Sequence, residues 1–157
     1  MKIKLLVIGK TDDQNLNALI DMYMKRLKHY IIFDIQVIPD IRGAKNFTAE
    51  QQKEREGELI LNALENPDML VLMDENGQAF GSVEFSKYLQ KKMNSGIKQM
   101  VLAVGGPYGF SKAVYERAQG KISLSKMTLS HQMVRLFVVE QLYRAFTILN
   151  NEPYHHE

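Results

Sequence analysis

Short apolar runs alternate with longer stretches of helical spacing along this chain. Ile3–Ile8 is apolar apart from Lys4 and is closed by Gly9, which predicts a buried strand. Leu16, Leu19, Ile20, Tyr23 and Leu27 recur at helical spacing over Asn15–Leu27. Phe33–Ile38 reads as a strand stopped by Pro39, and Asp40–Phe47 as a loop. Thr48 with Gln51 three residues on makes a capping-box start for a helix with Lys53, Glu54, Arg55, Glu56 and Glu58 on its outside, ending before Pro67. Met69–Met73 is expected as a third strand, leaving at Asp74-Glu75-Asn76-Gly77. A helix over Glu84–Met93 follows, then a fourth strand over Met100–Val104, a short helix over Lys112–Arg117 and a brief strand over Ile122–Leu124. A long helix, roughly Gln132–Asn150, is the last element. Strand–helix alternation of this kind predicts one α/β domain over residues 1–157, with a mostly parallel sheet and helices on both faces. Such sheets bind ligands at the carboxyl ends of their strands, here the loops after Met73, Val104 and Leu124.

On a helical wheel, Val134, Val138, Val139, Leu142, Ala145, Phe146 and Leu149 form one face of the last helix, suited to the sheet. The other side sets Gln132, Arg135, Glu140, Arg144 and Thr147 among Met133, Leu136, Phe137, Tyr143 and Ile148. So many large apolar groups call for a cover, most simply a second copy of the chain, or else another part of the same chain.

Composition removes whole classes of chemistry. The 157 residues include no cysteine, so disulfides, thiolate metal sites and a cysteine nucleophile are excluded. No apolar run is long enough for a membrane span, and the start has no signal-peptide shape, so a cytoplasmic protein is expected. Net charge is +2, yet residues 87–135 carry nine Lys/Arg against Glu116 alone. That block can be a solvated lysine-rich face, or can attract a polyanion such as RNA.

Gly105-Gly106-Pro107-Tyr108-Gly109 follows a buried strand but matches neither the dinucleotide fingerprint nor a Walker loop. In the stretch Ser123 to His131, hydroxyl residues alternate with Leu124, Met127 and Leu129, a pattern able to bond the edge of a planar ring and grip its faces. Ser130 also reads as a helix N-cap. His131 has no second ligand nearby, so no metal is expected. Arg144 and Glu140 are spaced for a helical ion pair, and the polar tail after Asn151 would by default be frayed.

Taken together, Val104 to Gly109, Leu124 to Gln132, Glu140-Gln141-Leu142-Tyr143-Arg144-Ala145 and Pro153-Tyr154-His155 resemble a bacterial family over essentially the full length. The chain is similar to the SPOUT-class methyltransferases that methylate N3 of a pseudouridine in large-subunit ribosomal RNA. One position departs from the family pattern, Ser130 standing where proline is usual. The resemblance implies a C-terminal trefoil knot, a homodimer, S-adenosylmethionine as cofactor, and 23S rRNA within the ribosome as substrate. It places cofactor contacts on Met73, Gly105, Leu124, Ser125, Lys126, Met127, Thr128 and Leu129. Arg144, Tyr154 and His155 become the catalytic candidates: a fixed cation, a stacking ring and a base for the N3 proton. The competing expectations are a non-catalytic rRNA-binding module and a nucleotide-binding or redox α/β protein.

Overall fold

In the computed structural model, which describes residues 1–156, the alternation becomes β1 (Lys2–Ile8), α1 (Gln14–Leu27), β2 (Phe33–Ile38), α2 (Ala49–Asn62), β3 (Met69–Ala79), α3 (Ser82–Asn94), β4 (Gln99–Val104), α4 (Lys112–Arg117), β5 (Gly120–Ser123) and α5 (Met133–Leu149). The strands pair in parallel, in the order β2-β1-β4-β3-β5. Residues of one strand alternate between two cores. Ile3, Leu5, Val7, Met100 and Leu102 pack under α1, α3 and α5, whereas Leu6, Ile8, Val101 and Ala103 pack under α2 and α4. Leu5, Leu70 and Leu72 are fully buried, each worth about 1.5–3 kcal/mol relative to exposure.

Helix starts follow local chemistry. Asp13 accepts the amides of Asn15 and Leu16 to open α1, and Thr48 and Gln51 close the expected reciprocal capping box at α2. α2 stops at Asn62, well short of Pro67, and the loop before it holds one 3-10 turn at Ala44–Asn46.

β3 differs from expectation, because it runs on through Asp74-Glu75-Asn76-Gly77 to Ala79 instead of leaving at Met73. Met73 and Gln78 both face Ile122, so the strand bulges and then rejoins β5. Gly77 permits this: a Cβ there would lie 2.6 Å from the Ile122 backbone nitrogen. The extension builds one wall of the site described below.

α5 covers α1 and α3, with Val138, Val139, Leu142, Ala145 and Phe146 buried as expected. Much of its second side is covered by the chain itself. Tyr143 packs against Tyr23, Tyr30 and Tyr154, and Arg135 and Thr147 are buried. Met133 (41% exposed) and Phe137 (40%) keep the open apolar surface. No helix among the described residues is long and apolar enough to cross a membrane.

Candidate functional site

The three loops that strand polarity singles out meet in one open cleft of about 600 Å³, at the carboxyl ends of β3, β4 and β5. Its walls come from Met73–Asn76, Val104–Phe110 and the loop from Leu124 to His131, with Tyr115, Ile122 and Val134 completing it. Of the eight positions expected around a cofactor, Met73, Gly105, Leu124, Ser125, Met127, Thr128 and Leu129 line the cleft. Lys126 is exposed and stands outside the lining.

Each wall has a local cause. After β4 the chain reverses through a turn in which the Gly109 amide donates to the Gly106 carbonyl (3.2 Å), with Pro107 at the second position and Gly109 at φ +80°. A Cβ on Gly105 would lie 3.3 Å from the Phe110 ring, so the backbone packs closely on that ring, and Gly105 lines the cleft with no side chain of its own. The loop after β5 is held by its own hydroxyls. Ser123 Oγ donates to the Ser125 carbonyl, and Ser125 Oγ accepts the Met127 amide. Ser130 Oγ accepts the Met133 amide (3.0 Å), the expected capping bond, although α5 itself begins at Met133.

The exit of that loop is tied to the end of β1. The Arg135 side chain, 1% exposed, donates to the carbonyls of Ile8 (2.8 Å), Gly9 (2.9 Å) and His131 (2.9 Å) and to Thr11 Oγ1 (3.0 Å). Gln132 adds a second tie, donating to the Lys10 carbonyl and accepting the Asp12 amide. Arg135 is expected on the outer side of the helix, yet it stands three and four residues before the buried Val138 and Val139, on the inward face, where these strand-end carbonyls receive it.

The cleft is apolar at Met73, Val104, Ile122, Leu124 and Leu129 and acidic along one wall. Tyr115 donates its hydroxyl to Asp74 Oδ2 (2.5 Å), and Thr128 donates to Glu75 Oε2 (3.1 Å). Burial, together with the Asp74 carboxylate, pushes the Tyr115 phenol up to about 12. Asp74, Tyr115 and the buried Glu56 behind the loop carry no motif of their own. Glu56 is expected outside α2, yet it lies four residues before the buried Ile60 on one helical face, which places it inside.

Arg144, Tyr154 and His155 form a separate cluster. Arg144 donates from Nε (3.1 Å) and Nη2 (2.6 Å) to Glu140 Oε1, the expected helical pair. Tyr154 donates to the same oxygen (3.0 Å), its ring lies 4.7 Å below the guanidinium carbon, and Arg144 Nη1 is 3.3 Å from His155 Nδ1. The bond to Glu140 raises Arg144 above its ordinary value; burial, with Tyr23 and Glu140 as partners, raises the Tyr154 phenol. The tail is therefore docked rather than frayed: Tyr154 packs edge-on to Tyr143, and Tyr30 donates to Glu152. None of the three residues lines the cleft. Arg144 is ten residues beyond Val134 on α5, about 15 Å along the axis. A second apolar hollow of about 320 Å³, between Phe80, Phe85, Leu124, Leu129 and the exposed Phe137, lies beside the cleft. No group of three or more metal-ligating side chains exists among the described residues.

Comparison with known proteins bears on this geometry. The family model described as a predicted SPOUT methyltransferase matches residues 1–155. A protein of Flavobacterium johnsoniae named ribosomal RNA large subunit methyltransferase H is 64% identical, aligned over the whole of both chains. Proteins of the same name from Parabacteroides distasonis and Bacteroides fragilis are 62% and 54% identical, again over 100% of both chains. Among solved structures, a probable methylase family protein from Haemophilus influenzae superposes with a TM-score of 0.52 at 12% identity, over 95% of this chain and 66% of that one, a likeness of fold.

Proposed function

The chain belongs to the SPOUT methyltransferase family, and from that premise we propose that it methylates N3 of a pseudouridine in the 23S rRNA of assembled large subunits. It is an S-adenosylmethionine-dependent rRNA methyltransferase, as family and relatives together indicate. The observation that carries the enzyme reading is the convergence of three strand-end loops on one cleft whose chemistry suits that cofactor; the acceptor follows from the family resemblance. The cleft volume falls within the usual range for a small-molecule site. The bare Gly105 backbone and the apolar side chains fit a planar base, and the Asp74–Glu75 wall fits a cationic ligand. When bound, the cofactor supplies an electrophilic methyl group on a positively charged sulfur.

Methyl transfer to a nitrogen is an in-line displacement, so the protein must align the acceptor and help N3 lose its proton. Arg144 is suited to hold the resulting imide anion, because Glu140 fixes the guanidinium in one orientation. Arginine can only donate, so His155 Nδ1 accepts from it and the imidazole carries its proton on Nε2. In this pose His155 is a second donor toward the anion, and the N3 proton leaves to solvent. Tyr154 offers a ring face on which a base can stack.

Because this cluster lies away from the cleft of its own chain, we infer that the working site is completed by a second copy in a homodimer. The half-exposed Met133 and Phe137 and the hollow beside them support that reading, since each would be covered by an isologous contact. The trefoil knot fits the path of residues 124–131, from the edge strand β5 back across the strand ends to β1. Of the nine cations of 87–135, Arg135 is buried and Arg117 is tied to the carbonyls of Glu65, Asn66 and Asp68; the seven lysines that remain fit an rRNA surface in the cytoplasm. The test is incubation with methyl-labelled S-adenosylmethionine and ribosomes from a strain lacking its own enzyme of this kind. Label is expected in 3-methylpseudouridine of 23S rRNA; ribosome binding without incorporation would leave only an rRNA-binding module.

A further inference from the structure

Glu56 of α2 is a buried acid with unfinished chemistry. It is 3% exposed; Oε1 accepts from Gln52 Nε2 (3.0 Å), while Oε2 has no hydrogen-bond partner. The carboxyl group stands against Gly106, where a Cβ would lie 2.6 Å from Oε1 and would overlap Oε2 outright. Gly106 lines the cleft and Glu56 does not, so the carboxyl lies directly behind the cleft wall. No ion pair is made with it among the described residues. The charged and titratable groups that bear on it are Asp40 and His131, and burial raises its pKa above the ordinary carboxylate value. An unpaired buried acid is costly, and a glutamine or leucine would fill the same space without that cost. Its counter-charge is therefore sought in what enters the cleft.

We propose that Glu56 makes the cleft prefer the positively charged methyl donor to its neutral, demethylated product. S-adenosylmethionine and S-adenosylhomocysteine share adenosine and amino-acid ends and differ by a methyl group and the charge on sulfur. Backbone contacts and apolar walls treat the two nearly alike. A carboxylate fixed in a low-dielectric wall does not, because a unit charge responds to its potential and a thioether barely does. The same bias helps the spent product give way to fresh donor after each turnover. This inference rests on the cleft being the S-adenosylmethionine site.

The test is calorimetric titration at pH 8 of wild type, Glu56→Gln and Glu56→Leu. The ligands are S-adenosylmethionine, S-adenosylhomocysteine and sinefungin, which carries an ammonium group at the sulfonium position. Removing the charge should weaken S-adenosylmethionine and sinefungin about tenfold and leave S-adenosylhomocysteine within about twofold of wild type. Equal weakening of all three would mean that Glu56 only packs the loop, and three unchanged affinities would mean that its charge is not felt; either result overturns the proposal. A wild-type protein that binds none of the three would instead overturn the cofactor reading, and the proposal with it.

Discussion

Arg135→Met tests whether the loop bearing the proposed cofactor positions is anchored to the sheet by one buried guanidinium. The substitution keeps an unbranched apolar stem, two atoms shorter than arginine, and removes every donor. The carbonyls of Ile8 and Gly9 at the end of β1, and that of His131 at the loop exit, then lose the bonds they make at 2.8 Å, 2.9 Å and 2.9 Å. Each buried carbonyl left without its donor costs about 1–3 kcal/mol. Part of that is returned, because burial disfavours the charged guanidinium and lowers its pKa. A net loss of about 3 kcal/mol follows, equivalent to roughly 6–12 °C in melting temperature for a domain of this size. Urea and thermal unfolding at fixed protein concentration measure it, and calorimetry adds the functional half. Affinity for S-adenosylmethionine should fall about tenfold, or ~1.4 kcal/mol, because residues 124–131 lose their tie to β1. A midpoint within a degree of wild type would show that Gln132 and the α5 packing hold the loop without Arg135.

Gly105→Val should abolish S-adenosylmethionine binding while leaving a folded dimer, because a Cβ there meets the Phe110 ring at 3.3 Å and the Gly109 backbone at 3.4 Å, so the branched side chain must displace residues that line the cleft; unchanged affinity by calorimetry would remove this loop from the site. Phe137→Glu should yield monomers in sedimentation equilibrium at micromolar concentration, since it sets a charge in the exposed apolar patch of α5; a surviving dimer would place the interface elsewhere. Deleting residues 153–157 should leave cofactor affinity nearly unchanged and reduce rRNA methylation by ~10²–10³-fold, as for loss of a donor to the developing anion, and near-normal turnover would show that the tail has no part in the chemistry. Arg144→Ala should lose methylation to a similar extent and recover part of it as pH rises, because added hydroxide removes the N3 proton that the cation no longer helps to release; a flat profile would deny the cation that role.

Most of the sheet was legible because its strands are short apolar runs between turn residues. The bounds of β2 and α4 coincide with the pattern, and the others shift by a few residues at their ends. What escaped has physical reasons. β3 continues through four polar residues and a glycine to Ala79 because backbone pairing with β5, rather than side-chain burial, holds Gln78 and Ala79 in the sheet. Glu56 and Arg135 are both expected outside, although helical spacing puts both on inward faces; hydrophobicity patterns cannot express a buried charge, whether its partners lie at a distant strand end, as for Arg135, or one of its oxygens has none, as for Glu56. Loop positions of the cleft were legible by combining strand polarity with the resemblance. That the catalytic candidates stand apart from it was not, since no spacing along the chain reveals the distance between a helix end and a strand end.

That separation makes a mixed dimer the most direct test of the account. Gly105→Val and Arg144→Ala chains, co-expressed with different tags and purified as the heterodimer, hold one intact cofactor cleft and one intact Arg144 cluster on opposite chains. If each working site joins the cleft of one copy to the tail cluster of the other, the heterodimer should methylate ribosomes at about half the wild-type rate, whereas both parent homodimers are inactive. A heterodimer as inactive as its parents would mean that cleft and cluster must come from the same chain, and would contradict the composite site.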